Sequence, residues 1–144
     1  MENKDWEKIE HFTPGEWGRD PARAAFPLVS AVDRLRDTAE VPVIIHVCWD
    51  DSGHAAKSKH NTGEAADLHF GRGAAGPLPV MEQFALICAL PFGGIGFYPE
   101  WAPCPGWHVD IRLGNRVMWV RRNNRYEYGP KVLARALAEV LHEG

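Results

Sequence analysis

Only three cysteines occur among the 144 residues, Cys48, Cys88 and Cys104, and none stands in a Cys-x-x-Cys pair. An odd number without that spacing argues against a disulfide framework and against a cysteine-ligated zinc. Cys48 and Cys88 lie in apolar stretches and read as small core residues. No apolar run reaches the ~20 residues that span a bilayer, so no membrane insertion is expected. The opening Met1-Glu2-Asn3-Lys4-Asp5-Trp6 has no apolar centre of the kind a signal peptide needs. The expectation is a protein made in the cytoplasm without a Sec-type export signal. Excess charge is absent too. A formal net charge of −3 and a pI near 6.1 leave no electrostatic footprint for nucleic acid. The densest basic group, Arg121-Arg122 with Arg125, reads as a solvated turn. The glycines from Gly71 to Gly76 lack the GxxxxGK[ST] pattern, which excludes a phosphate-cradling loop of that type.

What is present suits a single domain over residues 1–144, expected to be a monomer. Residues 1–19 form a turn-rich N-terminal arm with Phe12, Pro14-Gly15 and Trp17. Asp20-Pro21 resembles a helix start, and Ala25, Leu28, Val29, Val32 and Leu35 follow helical spacing, although Pro27 argues for a later beginning. Val41 to Cys48 is β-branched and reads as a buried strand. Residues 49–63 are polar and loop-like. Ala65 to Phe70 is a second strand, and Leu78 to Leu90 a helix ended by Pro91. Gly94 to Tyr98 and Trp107 to Arg112 are strands around a proline-rich loop. Arg116 to Arg121 and Arg125 to Tyr128 form a hairpin around Asn123-Asn124, and Gly129-Pro130 opens a final helix through Leu141. The fold class is α+β: a small, mainly antiparallel sheet with flanking helices.

Two short segments carry chemistry. Ser58-Lys59-His60-Asn61-Thr62-Gly63-Glu64-Ala65-Ala66-Asp67 sets a histidine seven residues before an aspartate, and Trp107-His108-Val109-Asp110 adds a second histidine. Two imidazoles and one carboxylate suit a catalytic Zn²⁺ with a fourth position open to water. His108 and Asp110 alternate along a strand and share a face. If that strand neighbours the one bearing Asp67, the three side chains converge. The chain has seven histidines, so such pairs can also arise by accident. His69 reads as a structural or outer partner, because a fourth protein ligand would close the catalytic position. Phe97, Tyr98, Trp101, Trp107 and Trp119 divide between core and binding rim. His11 and His142 belong to no motif.

The pattern Ser-x-His-x-x-Gly-x-Ala-x-Asp followed by Trp-His-x-Asp resembles the zinc D-alanyl-D-alanine peptidases, in the branch with murein endopeptidases and phage-borne wall enzymes. Phe12-Thr13-Pro14-Gly15-Glu16-Trp17, Asp33-Arg34-Leu35-Arg36, Val41-Pro42-Val43-Ile44 and Gly93-Gly94-Ile95-Gly96-Phe97-Tyr98-Pro99 extend the likeness over roughly residues 12 to 120. The resemblance implies a hedgehog/DD-peptidase fold and one Zn²⁺ held by His60, Asp67 and His108. It further implies cleavage of a peptide bond in peptidoglycan, as a carboxypeptidase, endopeptidase or endolysin, through a metal-activated water. Ser58 matches a family serine near the substrate and equally suits loop capping.

Two positions depart from that pattern. The residue three before the last ligand, often an acid or histidine in the family, is Pro105. Asp110 takes the place of the base in this reading, or else orients a ligand. Glu100 and His54 are further candidates on loops, His54 also as a substrate contact. Before the motif stands His46-Val47-Cys48-Trp49-Asp50-Asp51-Ser52-Gly53-His54, where several relatives carry an arginine that grips a carboxylate. Its absence leans toward endopeptidase or altered specificity. Without an export signal, the protein reaches the wall only if released, as a phage lysis enzyme is. The rival expectations are a non-catalytic zinc-binding member that binds a wall peptide or protein partner, and a metal amidase on a small cytosolic substrate.

Overall fold

The computed structural model describes residues 1–52 and 57–143, with side chains described through Leu141. In chain order the elements are α1 (Asn3–Trp6), α2 (Phe26–Ala39), β1 (Val43–Val47), β2 (Ala65–Phe70), β3 (Arg72–Gly73), β4 (Gly76–Pro77), α3 (Val80–Cys88), β5 (Gly94–Tyr98), β6 (Gly106–Asp110), β7 (Val117–Arg122), β8 (Arg125–Tyr128) and α4 (Pro130–Glu143). Six strands form one sheet in the order β1-β2-β6-β5-β7-β8, and β3-β4 make a small separate hairpin inside the glycine-rich loop.

The α+β class expected from the sequence is observed, with a mixed sheet. All neighbours pair antiparallel except β5 and β7, which are parallel. The cause is an occupied edge. β6 already has β2 on one side and β5 on the other, so the chain leaving β6 must cross to the free edge of β5. It reverses direction in doing so, and β7 lands parallel to β5. Arg116 secures the crossing by donating to the carbonyls of Phe92, Cys88 and Leu90 at 2.9, 3.1 and 2.8 Å. These are carbonyls at and just beyond the end of α3, where a helix leaves acceptors without intrahelical partners.

Alternation divides the sheet into two faces. Ala66, Leu68, Phe70, Ile95, Phe97, Trp107, Val109 and Val120 point to one side and meet Leu28, Val32 and Leu35 of α2, Ile87 of α3 and Leu133 and Leu137 of α4 in one cluster. Burying each large apolar side chain there contributes about 1.5–3 kcal/mol. Trp107 is fully buried, stacks on Phe84 and donates its indole N–H to Gln83 Oε1 at 2.9 Å. The opposite face carries Asp67, His69, Tyr98, His108, Asp110, Trp119 and Arg121.

Local chemistry moves several expected boundaries. Asp20-Pro21 opens a short 3-10 turn, Pro21–Arg23, and the helix proper begins at Phe26 with Pro27 in its first turn. A proline costs nothing there, because its missing N–H lies among the groups a helix end leaves unpaired. The Asn123-Asn124 turn is as expected: both residues have positive φ (51° and 59°), the left-handed pair that closes a two-residue hairpin. The arm is not wholly irregular, since it holds α1 and a capped 3-10 turn at Pro14–Glu16. It docks through Trp17, which is fully buried and meets Phe12 edge-on, and through Asp33, which accepts the N–H groups of Glu10 and His11 at 3.1 and 2.8 Å.

Gly63 joins the ligand loop to β2. Its φ is +71°, and a Cβ there would lie 1.9 Å from the Arg23 carbonyl oxygen. Its own carbonyl accepts the Ala25 N–H at 2.9 Å, tying the loop to the start of α2. Gly63→Ala is expected to lose about 2–3 kcal/mol of stability. Urea unfolding checks this, and an unchanged midpoint would contradict the close approach.

Candidate metal centre

His60 is placed by the loop and not by the sheet. Ser58 caps a short 3-10 turn, Lys59–Thr62, its Oγ accepting the His60 N–H at 3.2 Å. The His60 ring is buried, and its Nδ1 lies 2.8 Å from the Cys48 carbonyl oxygen. A carbonyl only accepts, so Nδ1 carries a proton and Nε2 is the nitrogen turned inward. Nε2 is 3.4 Å from Asp67 Oδ1.

Asp67 and His108 are direct cross-strand partners on β2 and β6. His108 Nδ1 is 3.1 Å from Asp67 Oδ1, and His108 Nε2 is 2.7 Å from Asp110 Oδ2. His60, Asp67 and His108 are all buried, and each offers a ligand atom within 4.8 Å of the other two. The convergence expected from the two motifs is what the pairing of β2 with β6 produces.

The outer contacts are equally specific. Asp110 is fully buried; its Oδ1 accepts from the Arg112 backbone N–H and Nε at 3.1 and 2.9 Å, and its Oδ2 from Arg112 Nη2 at 2.7 Å. The Tyr98 hydroxyl donates to Asp67 Oδ1 at 3.2 Å. The small residues of β5 make this possible. A Cβ at Gly94 would strike the Asp110 carboxylate at 2.2 Å, and one at Gly96 the Trp119 indole at 2.4 Å. Trp119 fills that space and packs against His108, with ring centroids 4.8 Å apart.

Charge follows from these contacts. Burial opposes ionisation of Asp67, but hydrogen bonds from His108 and His60 outweigh it and hold the carboxyl well below its usual range. The same balance applies to Asp110, where His108 and Arg112 outweigh burial. Burial likewise opposes a proton on His108, yet its bonds to Asp110 and Asp67 raise its pKa. Burial and the Asp67 charge keep the Tyr98 phenol protonated, so it remains a donor.

The triad forms the floor of a cavity of about 480 Å³, also lined by Ser58, Lys59, Tyr98, Arg112, Trp119, Arg121, Tyr126 and Tyr128. Among the described residues Asp67 is the one carboxylate in that lining. Asp110 lies behind His108 and does not line it, a placement that fits the orienting one of the two roles read from the sequence. Glu100 instead lines a neighbouring cavity of about 220 Å³ and accepts the Asn123 N–H at 3.1 Å. His54 lies outside the described residues. Ser58 serves both as the cap and as part of the wall. His69 turns away from the triad toward His46. Arg121, Tyr126 and Tyr128 escaped the sequence reading. Their alternation on β7 and β8 put them on one face, but only the parallel β5–β7 pairing puts that face beside His108.

Two imidazole nitrogens and one carboxylate oxygen, held by a carbonyl and a carboxylate behind the rings, fit a divalent cation. No protein-family model matches the chain, and no curated protein matches it. Asp110→Asn turns an amide N–H₂ toward two of the four converging donors, whichever way it is oriented, and is expected to weaken binding of zinc, used as the probe cation, about 10–100-fold with the fold retained. Chelator competition measures it, and wild-type affinity would contradict the orienting role. A bound cation must also displace the proton that the two aspartates stabilise on His108. Apparent affinity for zinc as the probe cation is therefore expected to rise with pH and to level off above the raised His108 pKa. Calorimetry in buffers of different ionisation enthalpy would read the released proton, and a flat profile would count against the arrangement.

Proposed function

We propose that the protein is a zinc-dependent peptidase acting on the peptide of bacterial peptidoglycan, with a hedgehog/DD-peptidase-like fold. The observation that carries this reading is a buried His60–Asp67–His108 triad opening onto a cavity of about 480 Å³. The two motif segments that supply the triad are the ones that resemble the D-alanyl-D-alanine peptidases. A zinc ion held there would polarise an amide carbonyl and lower the pKa of a bound water.

The chain's own residues supply the remainder. Asp67 stays ionised, and the inward-facing nitrogens of His60 and His108 are selected by Cys48 and Asp110 behind them. Asp110 is a positioning residue in this reading. Lys59 and Arg121 line the cavity, and neither has a carboxylate partner among the described residues. Two cations without a carboxylate partner among the described residues suit a substrate that carries carboxylates, and Arg121 offers the planar fork missing before the first motif. Tyr126 and Tyr128 are exposed beside it and offer flat surfaces with hydroxyl groups.

A second reading rests on one observation: among the described residues no carboxylate other than Asp67 reaches the cavity. In that reading the protein holds zinc and binds a wall peptide without cleaving it. Metal analysis with digestion of purified peptidoglycan, resolved by mass spectrometry, separates the two. The peptidase reading expects one zinc per chain and new peptide termini, both lost in His108→Ala. Bound zinc and retained muropeptides without cleavage would favour the second. Undiminished cleavage by His108→Ala would remove both.

A further inference from the structure

A second histidine pair occupies the same open face of the sheet, apart from the triad. β1 and β2 keep a regular antiparallel register through Ile45, which then shifts between Ile45 and Val47. His46 is the residue at that irregularity. Bulges re-aim side chains, and here His46 Nε2 lies 2.6 Å from His69 Nδ1. The ring centroids are 4.8 Å apart and the planes differ by 38°. Trp101 meets the His46 ring edge-on at 5.0 Å and backs it from one side. His46 is exposed and His69 half-buried, so the pair is reached from solvent.

We propose that His46 and His69 form a second metal site, a two-imidazole chelate for a late divalent transition ion, copper(II) above nickel(II) and zinc(II). Metal–nitrogen bonds of about 2.0–2.1 Å set two nitrogens about 2.9 Å apart at a right angle and about 3.4 Å apart at a tetrahedral one. The observed 2.6 Å lies nearer the right-angled pair, which needs only a few tenths of an ångström of opening. Right-angled nitrogen ligation with water at the other vertices is the tetragonal preference of copper(II) and nickel(II), and copper(II) heads the affinity order. His69 sits in the regular part of the ladder, opposite Ile44, and Trp101 backs the His46 ring, so little is lost in ordering the ligands. In the metal-free pair one ring nitrogen donates a hydrogen bond to the other; when the ion takes that place, the donor ring carries its proton on its other nitrogen and both rings stay neutral. The site is independent of any reaction at the triad.

The test is copper(II) titration of the full chain loaded with zinc, followed by electron paramagnetic resonance and zinc-release measurement. Wild type is expected to take up one more equivalent of copper than His46→Ala, with a two-nitrogen signal and no zinc release. His69→Gln is expected to weaken that equivalent by more than about tenfold, the loss that even an outer partner of a metal ligand costs. His11→Ala tests the surface Glu10–His11–Asp37 group, in which His11 is half-buried, as the competing site and is expected to change nothing. Equal copper uptake by wild type and His46→Ala would overturn the proposal. So would loss of the equivalent in His11→Ala, or copper uptake matched by zinc release. His46 is exposed, and circular dichroism of its alanine variant confirms that the fold is intact.

Discussion

A hydrogen-bonded chain runs from Arg112 through Asp110 and His108 to Asp67, and the candidate site depends on it. Each link sets the next. Arg112 fixes the carboxylate of Asp110, Asp110 holds one nitrogen of His108, and His108 turns the other toward Asp67. All of this is packed where water is scarce. A buried carboxylate without such partners would be costly. Here both aspartates are ionised because donors already surround them. The same partners that stabilise these charges also orient the donors a divalent cation requires.

The two faces of the sheet divide the work. One carries the apolar side chains of β2, β5, β6 and β7 and is covered by α2, α3 and α4. The other leaves the polar side chains of those strands open to a cavity. Because successive residues alternate, a candidate ligand such as His108 sits between two of the most deeply buried core residues, Trp107 and Val109. The rigidity of the core is thereby passed to the site through the backbone, without loops as intermediaries. His60 is the exception. It reaches the centre from a 3-10 turn, and the cap at Ser58, the left-handed Gly63 and the Cys48 carbonyl replace the support that a strand would give.

Much of the site was legible in the chain because its signals are local. His108 and Asp110 share a face through simple alternation, and the Asn123-Asn124 turn announces its hairpin. The helix start at Asp20-Pro21 was misplaced because a capping acid before proline suits a 3-10 turn as well as an α-helix. The glycine-rich loop hid a two-residue hairpin too short to leave a periodic trace. Glu100 read as a weaker candidate than Asp110, on a loop able to line the cleft. Its loop instead directs it to the Asn123 backbone, on the far side of Tyr98.

Sequence by itself determined the α+β class, the donor types and the spacing that lets two imidazoles and a carboxylate meet. Those follow from side-chain chemistry and from the two-residue period of a strand. Tertiary structure alone decided which strands are neighbours. Placing β6 between β2 and β5 brings His108 opposite Asp67, and laying β7 parallel to β5 carries Trp119 and Arg121 to the same cavity. The bulge in β1 that turns His46 onto His69 is of this kind too. Strand order depends on which edges remain free as the sheet assembles, a long-range competition that no local pattern of residues encodes.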